Sequence, residues 1–484
     1  MLFNSYIFIL LFLPLCVIGY FSLNHFKQYH LAQGFLLGMS LWFYGYFNTS
    51  YLFIILASVL INFVLYRLME HYRGNPFCKG LIALGVLTNL GILVYFKYMD
   101  FFFSTINSIF STQFELLHIV LPLGISFFTF QQISFLVDAY RGEIPGYSLL
   151  YYASFVTFFP QLIAGPIVTH DELVPQFLDR EKKTLNYDNL AKGIYLFTLG
   201  LAKKRLIADS FADLVSYGYT TLDRLTSISA FLVMLAYTIQ IYFDFSGYCD
   251  MAIGIGKMFN IELPLNFNSP YKALTITEFW DRWHMTLTRF FTKYVYIPLG
   301  GNRKGRIRTY VNIMIVFLAS GLWHGANWTF VFWGFLHGCF VVLTRMFKKF
   351  FDSLHPALNW LITFTFVNVA WVFFRAESFS QALTLLGKLV SWNFAPLDSN
   401  FIEIFRLKEL KKALSFFRIE TIYPQFLITA FFVVAMLLIL GRKNAYERMQ
   451  TFKPNALNMM TTLFLLVWSV FSFCGVTVFL YFNF

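Results

Sequence analysis

The chain has 484 residues, of which 58% are hydrophobic and 21% aromatic, while only 13% are charged, against roughly 25% in a soluble domain. That balance excludes a water-soluble globule, and the scattered cysteines Cys16, Cys78, Cys249, Cys339 and Cys474 predict neither a disulfide framework nor a zinc site. The formal charge of +12 does not point to nucleic acid, because the lysines and arginines fall between apolar runs rather than along one polar face, as membrane-orientation signals do.

Crossing ~30 Å of hydrocarbon as a helix takes about 20 mostly apolar residues, since every backbone polar group must be bonded internally. Charge-free runs therefore locate the spans, at 2–23, 31–47, 50–66, 80–96, 119–137, 147–169, 226–243, 309–324, 328–344, 356–374, 423–441 and 456–481. The first run has no basic stretch before it and no small-residue cleavage signal after it, so it is expected to be retained. No lipidation motif is visible at either end. The stretches 29–66 and 309–344 are too long for one span and are expected to be hairpins broken at Asn48-Thr49-Ser50 and Gly325-Ala326-Asn327. Pro160, Gly165 and Pro166 weaken the helix over 147–169, which is expected to enter the membrane and turn back. The run 193–202 is too short to read as a span.

Basic clusters mark the cytoplasmic side: Arg67, Arg73 and Lys79; Arg180, Lys182 and Lys183; Arg303, Lys304, Arg306 and Arg308; Arg345, Lys348 and Lys349. The loop expected at 98–118 has no Lys or Arg, which puts it outside with the N-terminus and the Gly325 hairpin. The loop 375–422 carries Arg406, Lys408, Lys411 and Lys412, yet span parity places it outside; its side is left unassigned. With no internal repeat or low-complexity linker, 1–484 is expected to be a single membrane-embedded domain. The fold class is all-α, a polytopic bundle of about 11–12 spans with re-entrant and interfacial helices.

Three of the nine histidines lie away from the loops. His324, in Leu322-Trp323-His324-Gly325, falls about 15 residues into a span that starts at a basic loop, or roughly 22 Å along it. An ionisable group there is costly unless it faces a cavity. A histidine hydrogen-bonded to a neighbouring helix is the plainer reading; the small residues and Trp323 and Trp328 beside it favour a lined cavity. His284 sits in a segment, Phe279 to Phe291, that reads as an interfacial helix with Trp280, His284 and Thr288 on one face; an amphipathic helix with a fortuitous histidine is the alternative. His337 is expected to pack between helices. Asp244 and Asp250 end or interrupt an apolar run and could be proton carriers, substrate contacts or members of a buried pair with Lys257; a structural or channel-lining role is favoured. No P-loop, strand-linked GxGxxG, GxSxG elbow or HExxH helix is present.

Taken in order, several segments resemble the bacterial branch of the membrane-bound O-acyltransferases, in particular the membrane proteins of alginate O-acetylation and the peptidoglycan O-acetyltransferases. They include Met1 to Tyr6, Leu121 to Phe127, Phe159 to Ile167, Phe243-Asp244-Phe245-Ser246-Gly247-Tyr248, Trp280 to Phe291, Pro298 to Arg303, Leu322 to Gly325 and Trp371 to Ala376. The resemblance implies a ring of helices around a central tunnel, no metal and no permanently bound cofactor, and acetyl-CoA as donor, with Arg303, Lys304, Arg306 and Arg308 meeting its phosphates. It matches His324 to the family's essential histidine and His284 to a second one. It implies a multi-pass protein of the bacterial cytoplasmic (inner) membrane, an exported polysaccharide as acceptor, membrane lipids around the bundle, and an extracytoplasmic acetyltransferase partner. Against this stands a transporter or flippase of a cell-envelope polysaccharide precursor, which would commonly show internal symmetry and paired broken helices.

Overall fold

A computed structural model describes residues 1–405, 424–441, 443–473 and 479–480. Arg406, Lys408, Lys411, Lys412 and Cys474 lie outside the described residues. Among the described residues the structure is helical, the one extended pairing being an isolated bridge between Phe267 and Trp283. Among the described residues six helices are long and apolar enough to cross a membrane: Phe8–His25, Ser50–His71, Phe77–Phe110, Ser227–Met258, Trp328–Met346 and Pro356–Arg375. Shorter apolar helices occur at Phe426–Leu440 and Ala456–Phe471. The chain is an all-α, multi-pass membrane protein.

The described chain divides into two compact units. The first contains Met1–Phe197 and Tyr248–Leu265. Its helices are α1 (Leu13–His25), α2 (Tyr29–Gly45), α3 (Ser50–His71), α4 (Phe77–Leu93), α5 (Met99–Phe110), α6 (Ile125–Arg141), α7 (Leu149–Thr157), α8 (Phe159–Leu162) and α9 (His170–Leu178). The break expected at 48–50 is present, and Asn48 Oδ1 accepts from the Ser50 N–H at 2.9 Å as α3 begins. Polar side chains join the apolar faces where water is absent. Asn62 and Asn89 exchange side-chain hydrogen bonds between α3 and α4 at 2.6 and 3.3 Å. Gln132 on α6 donates to Ser58 at 2.9 Å and accepts from the Tyr152 hydroxyl of α7 at 3.1 Å. Between α7 and α8 the backbone leaves the helix at Phe158, ψ 110°, with Pro160 in the first turn of α8, which is the interruption the prolines predict.

One expectation fails in this unit. The loop expected at 98–118 is confined to its second half, 111–118: α4 runs through a π-helical turn, Val94–Tyr98, directly into α5, which ends at Phe110. Nothing from Met99 to Phe110 stops a helix, as the segment lacks Gly and Pro. Asp100, in the first turn of α5, accepts the Leu117 and His118 N–H groups at 2.7 and 2.9 Å and pins the chain as it returns.

The second unit comprises Thr198–Gly247 and the described residues from Asn266 to Leu480. The helix α10 (Tyr187–Ala202), which belongs to this unit from Thr198 onward, continues through a π-helical turn, Lys203–Ala208, into α11 (Asp209–Thr220). The run 193–202, too short by hydropathy, is thus the middle of an unbroken helical stretch whose Lys203, Lys204 and Arg205 conceal it. Helix α12 (Ser227–Met258) contributes its part up to Gly247; 78% of its most apolar window is buried inside the protein, against 28–44% in the other long helices, which explains how it carries Asp244. Then follow α13 (Ile276–Arg282), α14 (Met285–Phe291), α15 (Arg306–His324), α16 (Trp328–Met346), α17 (Lys348–Ser353), α18 (Pro356–Arg375) and α19 (Phe379–Leu389).

Candidate active site

The α15–α16 hairpin fixes His324. It turns at Gly325-Ala326-Asn327 as the sequence predicts, with Asn327 capping α16 by accepting from the Thr329 N–H at 3.1 Å. The two helices touch backbone to backbone at Gly321 and Gly334. A Cβ on Gly334 would stand 2.3 Å from the Phe317 carbonyl oxygen, and one on Gly321 2.4 Å from that of Phe330. Only residues without a side chain allow so close an approach. His324, the last residue of α15, is buried, its ring 4.9 Å from Trp323 and 5.2 Å from both Trp333 and Phe374.

His284 is held differently. The continuous helix expected over 279–291 does not exist: α13 stops at Arg282, Trp283 is extended, and His284 has φ 47°, ψ 49° before α14 begins. Trp280, His284 and Thr288 therefore do not share one helical face. The strand-like segment 266–268 causes the break by running antiparallel to 282–285, where the Asn268 N–H donates to the Arg282 carbonyl at 2.9 Å and the Met285 N–H to the Asn266 carbonyl at 3.0 Å. Arg282 pairs with Glu278 at 2.8 Å. A positive φ at a bulky residue costs energy and persists only where its surroundings over-determine it.

Asn266 also sets the chemistry of the ring. Its Oδ1 accepts from the Thr286 N–H at 3.2 Å and the Thr286 hydroxyl at 3.0 Å, and lies 3.2 Å from His284 Nδ1. With the amide oxygen fixed by those donors, Nδ1 carries the imidazole proton and Nε2 the lone pair. A neutral His284 therefore offers an acceptor at Nε2, and donates there only as imidazolium. The ring is completely buried, 4.8 Å from Phe245 and 6.2 Å from the His324 ring, centroid to centroid.

The structure thus brings His284 and His324 together. It does not bring the basic cluster to them: Arg303, Lys304, Arg306 and Arg308 are exposed on the loop before α15 and in its first turn, and eighteen helical residues put Arg306 about 27 Å from His324. His337 packs between helices as expected, its Nδ1 accepting from the Trp280 indole at 3.2 Å. Asp244 pairs with Lys204 at 2.6 Å and not with Lys257, which donates to Glu262 at 2.7 Å. Asn266 and Lys204 are absent from the sequence reading, since no spacing or motif marks them, and Phe245 enters it only within a resembling segment; contacts between distant segments give them their roles. Among the described residues no group of three His, Cys, Asp or Glu side chains could hold a metal ion.

Two imidazoles are thus buried with ring centroids 6.2 Å apart in a helical membrane protein, and imidazole is the side chain most often used to move protons in catalysis. Residues 3–379 match the membrane-bound O-acyltransferase family, and the chain belongs to that family: it is a membrane-bound O-acyltransferase. Among its relatives, the peptidoglycan O-acetyltransferase of Helicobacter pylori is 45% identical over 423 residues, covering 81% of this chain and 80% of the relative. The probable alginate O-acetylase AlgI of Pseudomonas aeruginosa is 38% identical over 466 residues, 94% of this chain and 84% of the relative. The teichoic acid D-alanyltransferase of Bacillus subtilis is 27% identical over 276 residues, 53% and 69% of the two chains. Family membership removes the transporter reading.

Proposed function

We propose that this enzyme takes an acetyl group from acetyl-CoA on the cytoplasmic face of a bacterial inner membrane and passes it through a single acyltransferase domain, by way of a tunnel, for O-acetylation of an exported polysaccharide. The observation that carries this reading is the pairing of His284 and His324, buried with ring centroids 6.2 Å apart. The relatives' names supply acetyl as the group and peptidoglycan or an alginate-like polymer as the acceptor class. Arg303, Lys304, Arg306 and Arg308, exposed at the opposite end of α15 from His324, would meet the donor's phosphates as it arrives.

His324 acts as general base. An acceptor hydroxyl oxygen bonds to the thioester carbonyl carbon as its proton passes to the imidazole, and collapse of the tetrahedral intermediate breaks the C–S bond. The proton then leaves on the CoA thiol, so the base is restored. His284 positions the reacting groups: it holds the thioester beside His324 and, once protonated, donates to the carbonyl oxygen.

The chain carries no serine-nucleophile block of the secreted esterase type, and a long polymer needs an exposed cleft with aromatic platforms. A separate extracytoplasmic acetyltransferase therefore completes transfer, docking around the Gly325 hairpin. Reconstitution tests this: vesicles holding the enzyme and acetyl-CoA should label polymer only when that partner is added. Polymer acetylation at a cellular rate by the enzyme alone would remove the two-component reading.

A further inference from the structure

Asp244 stands one residue before Phe245, whose ring abuts His284 at 4.8 Å, and it belongs to a buried cluster of four charges. Lys204 Nζ lies 2.6 Å from Asp244 Oδ1 and 2.9 Å from Asp209 Oδ1, while Arg205 Nη1 lies 2.6 Å from Asp209 Oδ2. Lys204, Arg205 and Asp244 are buried and Asp209 nearly so. Two cations face two carboxylates, so the group is electroneutral.

A neighbouring segment closes over the cluster. The Leu480 N–H donates to the other Asp244 oxygen at 3.0 Å, and Lys204 sits 4.5 Å above the Phe479 ring. Arg205 lies 5.2 Å from the Phe473 ring and donates to the Ser472 carbonyl. Desolvating four charges makes such a cluster poor value as a source of stability, since well-packed apolar residues would serve as well. What it offers is directional restraint. Lys204 and Arg205 both lie in the π-helical turn Lys203–Ala208, an irregularity common at functional sites. Lys203, from the same turn, reaches Ser246 Oγ at 3.4 Å. The turn is therefore tied to α12 on both sides of Phe245, the residue that meets His284 and also packs on Phe267 at 4.8 Å.

We propose that Lys204 and Asp244 are positioning residues for the reaction: their ion pair locks the α12 turn that carries Phe245, and Phe245 holds the His284 ring toward His324. This rests on the reading of His284 and His324 as the site. A small displacement of a reacting group lowers the rate of chemistry far more than it weakens substrate binding, and fold stability alone would not produce that split.

The test is acetyl-CoA consumption by the purified full chain, expressed per folded molecule. Asp244→Asn and Lys204→Met should each lower kcat about 10–100-fold with KM for acetyl-CoA within about threefold, and Lys204→Arg, which keeps the charge between both carboxylates, should recover most of the loss. Should Asp244→Asn fail to fold, Asp209→Asn removes the outer carboxylate and should show the same kcat-selective loss. A folded variant whose kcat stays within about twofold of the parent, or which changes KM alone, overturns the proposal. Activity surviving in His324→Ala would instead overturn the reading of the site, so the two failures are distinguishable.

Discussion

Asn266 Oδ1 lies 3.2 Å from His284 Nδ1, and the same oxygen accepts from the Thr286 backbone and hydroxyl. One side chain thus fixes both the left-handed turn at His284 and the tautomer of its ring. Asn266→Ala should cost about 1–3 kcal/mol of stability, the penalty for stranding buried partners, and should lower kcat beyond what the lost stability explains. Thermal unfolding and turnover per folded molecule, measured on one preparation, check this; a stability loss with kcat intact would leave Asn266 a purely structural residue.

The hairpin that carries His324 depends on backbone contact. Since a Cβ on Gly334 would stand 2.3 Å from the Phe317 carbonyl oxygen, Gly334→Leu must part α15 from α16. The expected result is little monodisperse protein after detergent extraction, by size-exclusion chromatography. Gly387, where nothing lies within 4 Å of an added Cβ, is the control, and Gly387→Leu should extract normally.

Outside the spans, Lys183 is buried and donates to the Tyr20 hydroxyl at 3.1 Å. Burial holds its ammonium down to about 8 from an ordinary 10.5. Between those values the unfolded chain keeps a proton that the folded chain has released, so stability from this group rises with pH through that window; below about 8 the cost of burying the charge is present in full. The melting temperature should accordingly rise between about pH 8 and 10, and Lys183→Met should flatten that slope. An unchanged slope in the variant would show that other groups produce it.

Orientation can be read chemically. Single cysteines at Arg303 or Arg306, both exposed, should react with a membrane-impermeant maleimide only in inverted vesicles, if the basic clusters face the cytoplasm. Labelling from outside intact cells would reverse the assigned topology and, with it, the side from which the donor enters.

Much of this molecule was legible in the sequence, for a physical reason. Long apolar runs must be helical in a membrane, so the breaks at Asn48 and Gly325, the interruption at Pro160 and the place of His324 at the end of a long helix all followed from hydropathy and turn chemistry. Charge misled the reading where it was internally neutralised. The first half of the stretch 98–118, expected as a loop, is helix to Phe110, and Asp100 in its first turn accepts two backbone N–H groups from the returning chain. Lys203, Lys204 and Arg205 broke up a helical stretch because Lys204 finds its partner Asp244, and Lys203 its partner Ser246, far along the chain. The helical periodicity around His284 was equally deceptive, since the pairing of 266–268 with 282–285 overrides it. Local pattern carries no information about such partners.

If His324 is the base, acyl transfer by the two buried imidazoles must fail without it. The most direct measurement is the fate of radiolabelled acetyl-CoA with purified parent enzyme and its His324→Ala variant, both confirmed as folded and membrane-inserted. Loss of a general base should cut thioester consumption by about 10²–10⁴-fold while the variant accumulates in the membrane at the parent's level. Consumption at the parent's rate by a folded His324→Ala protein would contradict the account.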